Sequence, residues 1–293
     1  MLVSHTQIGV WNECPFQWKL GYKDKWVPKK KSEGLDRGNK VHELLGAYYT
    51  HIKEGGKPED FKPKMAKIAQ AWITSPDVNM DMVSNILHVI GRYISDWAPQ
   101  EDSGWQFLQT EYRFEVPLFS PAGYPYRLQG YIDVVAIRRG YLYIWDHKSH
   151  DSHPWTDSEC MMDSQQTIYA AALANLGYEV NGTAINMLNL HEYKRKEPSP
   201  DEMFKRVMTT RKRVELQKAL HEFGTALDEI IEADKTGVYK KVLKKDCARC
   251  RFSEPCLMDQ KGMPIEPFLR VSFEQKESPG LLPEANEQLG LIL

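Results

Sequence analysis

Apolar positions over the first hundred residues recur at helical spacing. Val41, Leu45, Tyr48 and Ile52 mark one face of a helix expected over about 35–53, stopped by Gly55-Gly56. Two more helices are expected at about 60–73 and 78–97, separated by Ser75-Pro76. Ahead of them, 6–18 reads as a short helix and 23–32 as a lysine-rich loop. From Trp105 the period falls to two. Segments 107–118, 126–137 and 141–147 read as strands, joined by the turn Ser120-Pro121-Ala122-Gly123 and a tight hairpin at Arg139-Gly140. A loop with His153-Pro154 leads to a helix at 163–176, ended by Gly177, and a strand at 183–190. A long helix is expected over about 201–233, burying Phe204, Val207, Val214, Leu220, Phe223, Leu227 and Ile231. A meander of strands, a crossover helix and a further strand imply an α/β fold with a mixed central sheet.

Composition narrows the class. The chain has 293 residues, of which 42% are hydrophobic, enough for a sizeable core. No apolar run approaches the length of a membrane span, and the first residues lack a leader pattern. The expectation is a cytoplasmic protein that does not engage a membrane. A net charge of -2 excludes a wholly basic nucleic-acid footprint. Basic clusters at 29–31, 194–196, 211–213 and 240–245 read either as solvated faces or together as a track for a phosphate backbone. Five cysteines without an export signal argue against a disulfide framework.

The candidate chemistry lies on the hairpin. Asp146 and Lys148, two apart, project from one face of a strand, and His147 points the other way. The turn at Arg139-Gly140 can bring Asp133 beside Asp146. Two carboxylates at one point repel unless a cation lies between them, and oxygen ligands suit Mg²⁺ or Mn²⁺. The backbone carbonyl of His147 could add another oxygen, and Lys148 could orient water or offset phosphate charge. A surface hairpin with an ordinary Asp–Lys ion pair is the alternative. His42 reads as a satisfied core histidine or as a further ligand. Gln165 and Tyr169, four apart, share one helix face.

Taken in order, Gly38-x-x-x-His42-Glu43, Gly130-x-x-Asp133, Asp146-x-Lys148 and Gln165-x-x-x-Tyr169 resemble the RecB-like branch of the PD-(D/E)XK nucleases. The opening Cys14-Pro15, with Trp18 and Tyr22, is similar to that branch too. The resemblance implies that His42, Asp133 and Asp146 hold the metal, that Lys148 is the catalytic lysine, and that Gln165 and Tyr169 position substrate or water. Glu111 matches the family more loosely as a residue lining the site. Ile132 stands where the named motif has proline.

Cys247-x-x-Cys250 and Cys256 place three thiols in a short segment flanked by Arg249, Arg251 and lysines, a setting that favours thiolates. Cys14 is a natural fourth, and four cysteines suit either an iron–sulfur cluster or Zn²⁺. Here too the resemblance discriminates. An N-terminal cysteine with a C-terminal triplet is similar to the iron–sulfur members, including the AddB nuclease domain and the CRISPR-associated RecB-like exonucleases. It implies a structural [4Fe–4S] cluster on Cys14, Cys247, Cys250 and Cys256, leaving Cys160 a plain thiol. The implied organisation is a nuclease domain over 1–260 with a helical insertion at about 35–104, and a C-terminal tail of limited structure over 261–293. The implied activity is metal-dependent DNA cleavage, most readily from the end of a single strand. Lys25, Trp26, Trp155 and Lys194 are candidate strand contacts. The alternative is a non-catalytic or partner-dependent DNA-binding subunit of a recombination or CRISPR-adaptation assembly. Relatives form rings, so oligomers are within expectation.

Overall fold

The computed structural model describes residues 1–29, 33–75, 78–151, 154–193 and 198–276. The basic cluster expected at 194–196, most of that at 29–31, His153 and the end of the expected tail lie outside the described residues. Among the described residues the main sheet has six strands: β1 (Leu2–Ser4), β3 (Trp105–Phe119), β4 (Pro125–Arg138), β5 (Tyr141–His150), β6 (Val180–Asn189) and β7 (Phe204–Thr210). Their order is β1-β4-β5-β6-β7, with β3 also paired to β4. β1 runs parallel to β4, β4 antiparallel to β5, β5 parallel to β6 and β6 antiparallel to β7. The sheet is therefore mixed. A second, two-stranded sheet joins β2 (Trp26–Pro28) to β8 (Phe273–Gln275).

The chain gathers into two compact units. The larger comprises 33–114 and 131–219. Its helices precede and follow the β4–β5 hairpin: α3 (Glu33–Lys53), α4 (Lys62–Ile73), α5 (Met80–Arg92), α6 (Ala98–Glu101), α7 (Asp157–Met161), α8 (Ser164–Asn175) and α9 (Pro200–Met203). Val41, Leu44, Leu45, Tyr48 and Tyr49 of α3 pack with Ile86, Val89 and Ile90 of α5 and with Val134, Trp145 and Leu188 from the strands. The helical spacing seen in the sequence is thus the spacing of one buried face. Asn79 caps α5 by accepting a hydrogen bond from the Met82 N–H at 3.1 Å. Beyond α5, Tyr93–Trp97 widens into a π-helical turn.

The smaller unit comprises 1–29, 115–130 and the described residues from Leu220. Ser4 caps α1 (His5–Glu13), and Pro15 opens α2 (Pro15–Trp18). Proline disfavours helical backbone in the residue before it, and Cys14 is accordingly extended between the two helices. At the other end, a 3₁₀ turn (Lys245–Arg249) carries Cys247, and α11 (Ser253–Gln260) carries Cys256. Phe16, Leu20, Trp26, Phe252, Leu269 and Phe273 form this unit's core, with Cys14, Cys250 and Cys256 packed against it.

Two expectations change here. The single helix over 201–233 is instead the four-residue α9, the strand β7 and then α10 (Arg213–Thr236). Phe204, Val207 and Thr209 are buried, while Lys205, Met208 and Thr210 are exposed. Over 207–210 that is the period of a strand, edged by β-branched side chains. Within the expected tail, α12 (Glu266–Ser272) and β8 are folded, held by Leu269 and Phe273 in the smaller unit's core.

Candidate active site

Register places the acidic residues. Val134 pairs with Trp145, so Asp133 and Asp146 occupy the next step of the same ladder. Opposed residues of an antiparallel pair share a face. Both carboxylates are buried, at 8% and 5% exposure. Asp133 Oδ2 accepts the His147 N–H at 2.6 Å and lies 3.3 Å from His42 Nδ1. Lys148 Nζ forms an ion pair with Asp146 Oδ2 at 2.6 Å. Lys148 also donates to Gln165 Oε1 at 3.4 Å, and Gln165 in turn hydrogen-bonds Tyr169. The structure thus brings together His42, Asp133, Asp146, Lys148, Gln165 and Tyr169.

The charges divide unequally. Burial, with Asp133 beside it, pushes the Asp146 carboxyl up to about 7. Burial would raise Asp133 as well, but its hydrogen bond and charge interaction with His42, together with the His147 backbone N–H, hold it below the usual carboxylate range. Burial opposes the charge on His42, yet Asp133, Asp146 and Glu111 outweigh it and lift the imidazole to about 9. Lys148 is likewise raised, with Asp146 outweighing burial. Tyr169, buried at 6% exposure, is pushed up by burial and by Asp146.

Glu111 joins this group through an unusual backbone. It is a non-glycine residue at φ 48°, inside β3. That left-handed conformation breaks the strand's alternation and re-aims the side chain. The residue as a whole is exposed, but its carboxyl turns in against Gly46 of α3, where an added Cβ would stand 2.6 Å from Oε1. Burial of that carboxyl end, with Asp133 near it, pushes Glu111 up to about 7. His42, Glu43, Gly46 and Glu111 line a shared cavity of about 460 Å³.

Behind the site lies a network absent from the sequence reading. His147 is fully buried and stacks on Tyr49 at 5.4 Å. Burial drives its imidazole down to about 3, so the ring is neutral. The Asn186 amide donates to His147 Nδ1 (3.1 Å), and Asn186 Oδ1 accepts from Arg206 Nε (3.2 Å). Arg206 also pairs with Asp102 at 2.9 Å, donates to Tyr49 and Tyr93, and lies 4.0 Å over the Trp145 ring. The strand carrying Asp146 and Lys148 is thereby braced from its inner face.

No group of three or more His, Cys, Asp or Glu side chains among the described residues stands at ligand spacing. In the main site, His42 lies against Asp133 and Lys148 against Asp146. In the smaller unit, Cys14, Cys247, Cys250 and Cys256 are all free thiols lining one cavity of about 830 Å³, which Lys241 and Arg251 also line. The flanking cations do not prevail over burial, which raises the Cys250 and Cys256 thiols.

No curated protein matches the chain. Solved structures align with it, among them the following two. One is the "Putative exonuclease" of Eubacterium rectale, at 16% identity and a TM-score of 0.45, over 85% of this chain and 87% of that one. The other is SSO0001, at 14% identity and a TM-score of 0.33, over 73% and 82%. The family model of the PD-(D/E)XK nuclease superfamily matches residues 2–257, nearly the whole described chain and every residue of the site above. With a mixed sheet presenting Asp133, Asp146 and Lys148 on one face, the chain belongs to the PD-(D/E)XK nuclease superfamily.

Proposed function

We propose that the protein is a metal-dependent deoxyribonuclease that hydrolyses phosphodiester bonds, working as an exonuclease on single-stranded DNA. The observation that carries this is the buried carboxylate pair on β4 and β5, with Lys148 ion-paired to Asp146 at 2.6 Å. Such a pair is costly without a cation between its members, and Asp146 registers the cost in its rise to about 7. Hard oxygen donors suit Mg²⁺ or Mn²⁺, so the donor set fits. His42, Asp133, Asp146 and the His147 carbonyl would hold the ion, and the imidazole favours Mn²⁺. A bound divalent cation supplies Lewis acidity towards the scissile phosphate and water.

The remaining roles belong to the chain's own groups. Lys148 stays charged and sets its ammonium against a phosphate oxygen or the attacking water. Gln165 holds that ammonium in place. Tyr169 stays protonated and offers a hydroxyl donor on the same helix face. The backbone N–H of His147 fixes Asp133. We also propose that Cys14, Cys247, Cys250 and Cys256 hold a structural [4Fe–4S] cluster. Support comes from four unpaired thiols around one cavity, backed by the core of Phe16, Phe252 and Phe273.

The test is digestion of end-labelled single- and double-stranded DNA with Mg²⁺ or Mn²⁺. Progressive shortening of the single strand from one end is expected. Tight binding without cutting under any cation would replace the enzyme with a DNA-holding subunit.

A further inference from the structure

Trp155 stands immediately before Thr156, the N-cap of α7, and is anchored from two directions. Thr156 and Glu159 close a capping box, in which Thr156 Oγ1 accepts the Glu159 N–H at 3.2 Å and Glu159 Oε2 accepts the Thr156 N–H at 2.7 Å. A residue just ahead of such a cap often packs on the fourth residue of the helix. Here that residue is Cys160, fully buried with Ile185, Met187 and Val207, and Trp155 packs on this cluster. The indole is thus fixed, yet it remains only half-buried. Its ring centre lies 5.6 Å from Lys148 Nζ, within cation–π range.

Packing against α7 asks only for aliphatic bulk. A rigid, half-open aromatic face beside the lysine that meets the scissile phosphate offers more. Bases stack on such faces with little sequence preference, provided they are unpaired. As Lys148 turns to a phosphate, the face it covers is released to the neighbouring base.

We propose that Trp155 is a stacking platform for one unpaired nucleobase next to the scissile phosphate, and that it selects single-stranded ends. This rests on the nuclease reading above. Leucine at this position keeps the packing and loses the π-face, whereas phenylalanine keeps both.

The experiment measures binding of the full-length protein to a fluorescein-labelled single-stranded oligonucleotide in Ca²⁺. A single abasic residue is moved one position at a time from the end. For wild type, affinity should fall about tenfold when the abasic residue reaches the platform, and by much less elsewhere. Trp155→Leu should bind the intact strand about tenfold more weakly and be indifferent to the abasic residue. Trp155→Phe should keep the discrimination. In Mg²⁺ the Leu variant should show a raised KM and an unchanged kcat. Wild type indifferent to an abasic residue at every position overturns the proposal without any variant. So does a Leu variant that discriminates as wild type does. Discrimination without cleavage would leave the platform standing and remove the nuclease reading; cleavage without discrimination would do the reverse.

Discussion

Asp146 binds a proton more readily in the folded chain than in the unfolded one, because burial and Asp133 push it up to about 7. A carboxyl raised on folding contributes fully below its unfolded value, near pH 4, and that contribution is lost as pH rises through about 7. In chelator, Asp146→Asn should therefore gain stability relative to wild type between about pH 4 and pH 7, with a ceiling of about 1.4 kcal/mol per pKa unit. Urea unfolding at several pH values checks this, and a pH-independent difference would contradict it. Gly46 gives a second residue-scale outcome. Alanine there favours helix by about 1 kcal/mol. Its Cβ would displace only the flexible end of Glu111. Gly46→Ala should thus hold or raise the melting temperature while reducing DNA cleavage, and unchanged cleavage would remove Glu111 from the site. At this scale the sequence was informative where chemistry lies two residues apart. Asp146 and Lys148 share a face because a strand has period two. Glu111 was legible only as a loose family match, since its left-handed backbone violates that period.

Among the elements, the strands of the hairpin and the helix after it fall close to where alternation and turn residues put them. β7 does not. Phe204 and Val207 fit a helical face as well as a strand, and periodicity cannot arbitrate so short a stretch. Pairing with β6 decides it, from Gly182–Thr210 to Leu188–Phe204. Missing β7 also concealed Arg206, which meets Tyr49, Tyr93 and Asn186 on three separate elements and Asp102 in the turn after α6. No spacing rule joins residues so far apart in the chain. The Asp102 carboxyl is buried, and that burial already raises it against the pull of Arg206. Arg206→Ala should accordingly cost about 3–5 kcal/mol by leaving that carboxylate unpaired. Adding Asp102→Asn should recover most of the loss in urea unfolding. Equal losses in single and double variants would show that packing on Trp145, not charge pairing, carries the effect.

At the scale of the whole molecule, the chain's ends supply the four cysteines of one unit, and its middle supplies the acidic site of the other. The cysteine spacing was readable because three of the four thiols are close in sequence. Cys14, far from them in sequence, was joined to them by the family resemblance, and as an extended residue ahead of Pro15 it lines the same cavity. Anaerobically purified protein should be brown, with iron and sulfide in near-equal amounts, and Cys250→Ser should destabilise this unit as well as bleach it. Colourless protein with stoichiometric zinc would assign the cavity to Zn²⁺ instead. Among the described residues no helix is long and apolar enough to cross a membrane.

The most direct measurement compares wild type with Asp146→Ala and Lys148→Ala on one end-labelled single strand. Binding is read in Ca²⁺ and cutting in Mg²⁺ or Mn²⁺. Both variants should bind the strand, and each should cut it at least about a hundredfold more slowly. Cleavage undiminished in either variant would contradict the assignment of β5 as the catalytic strand.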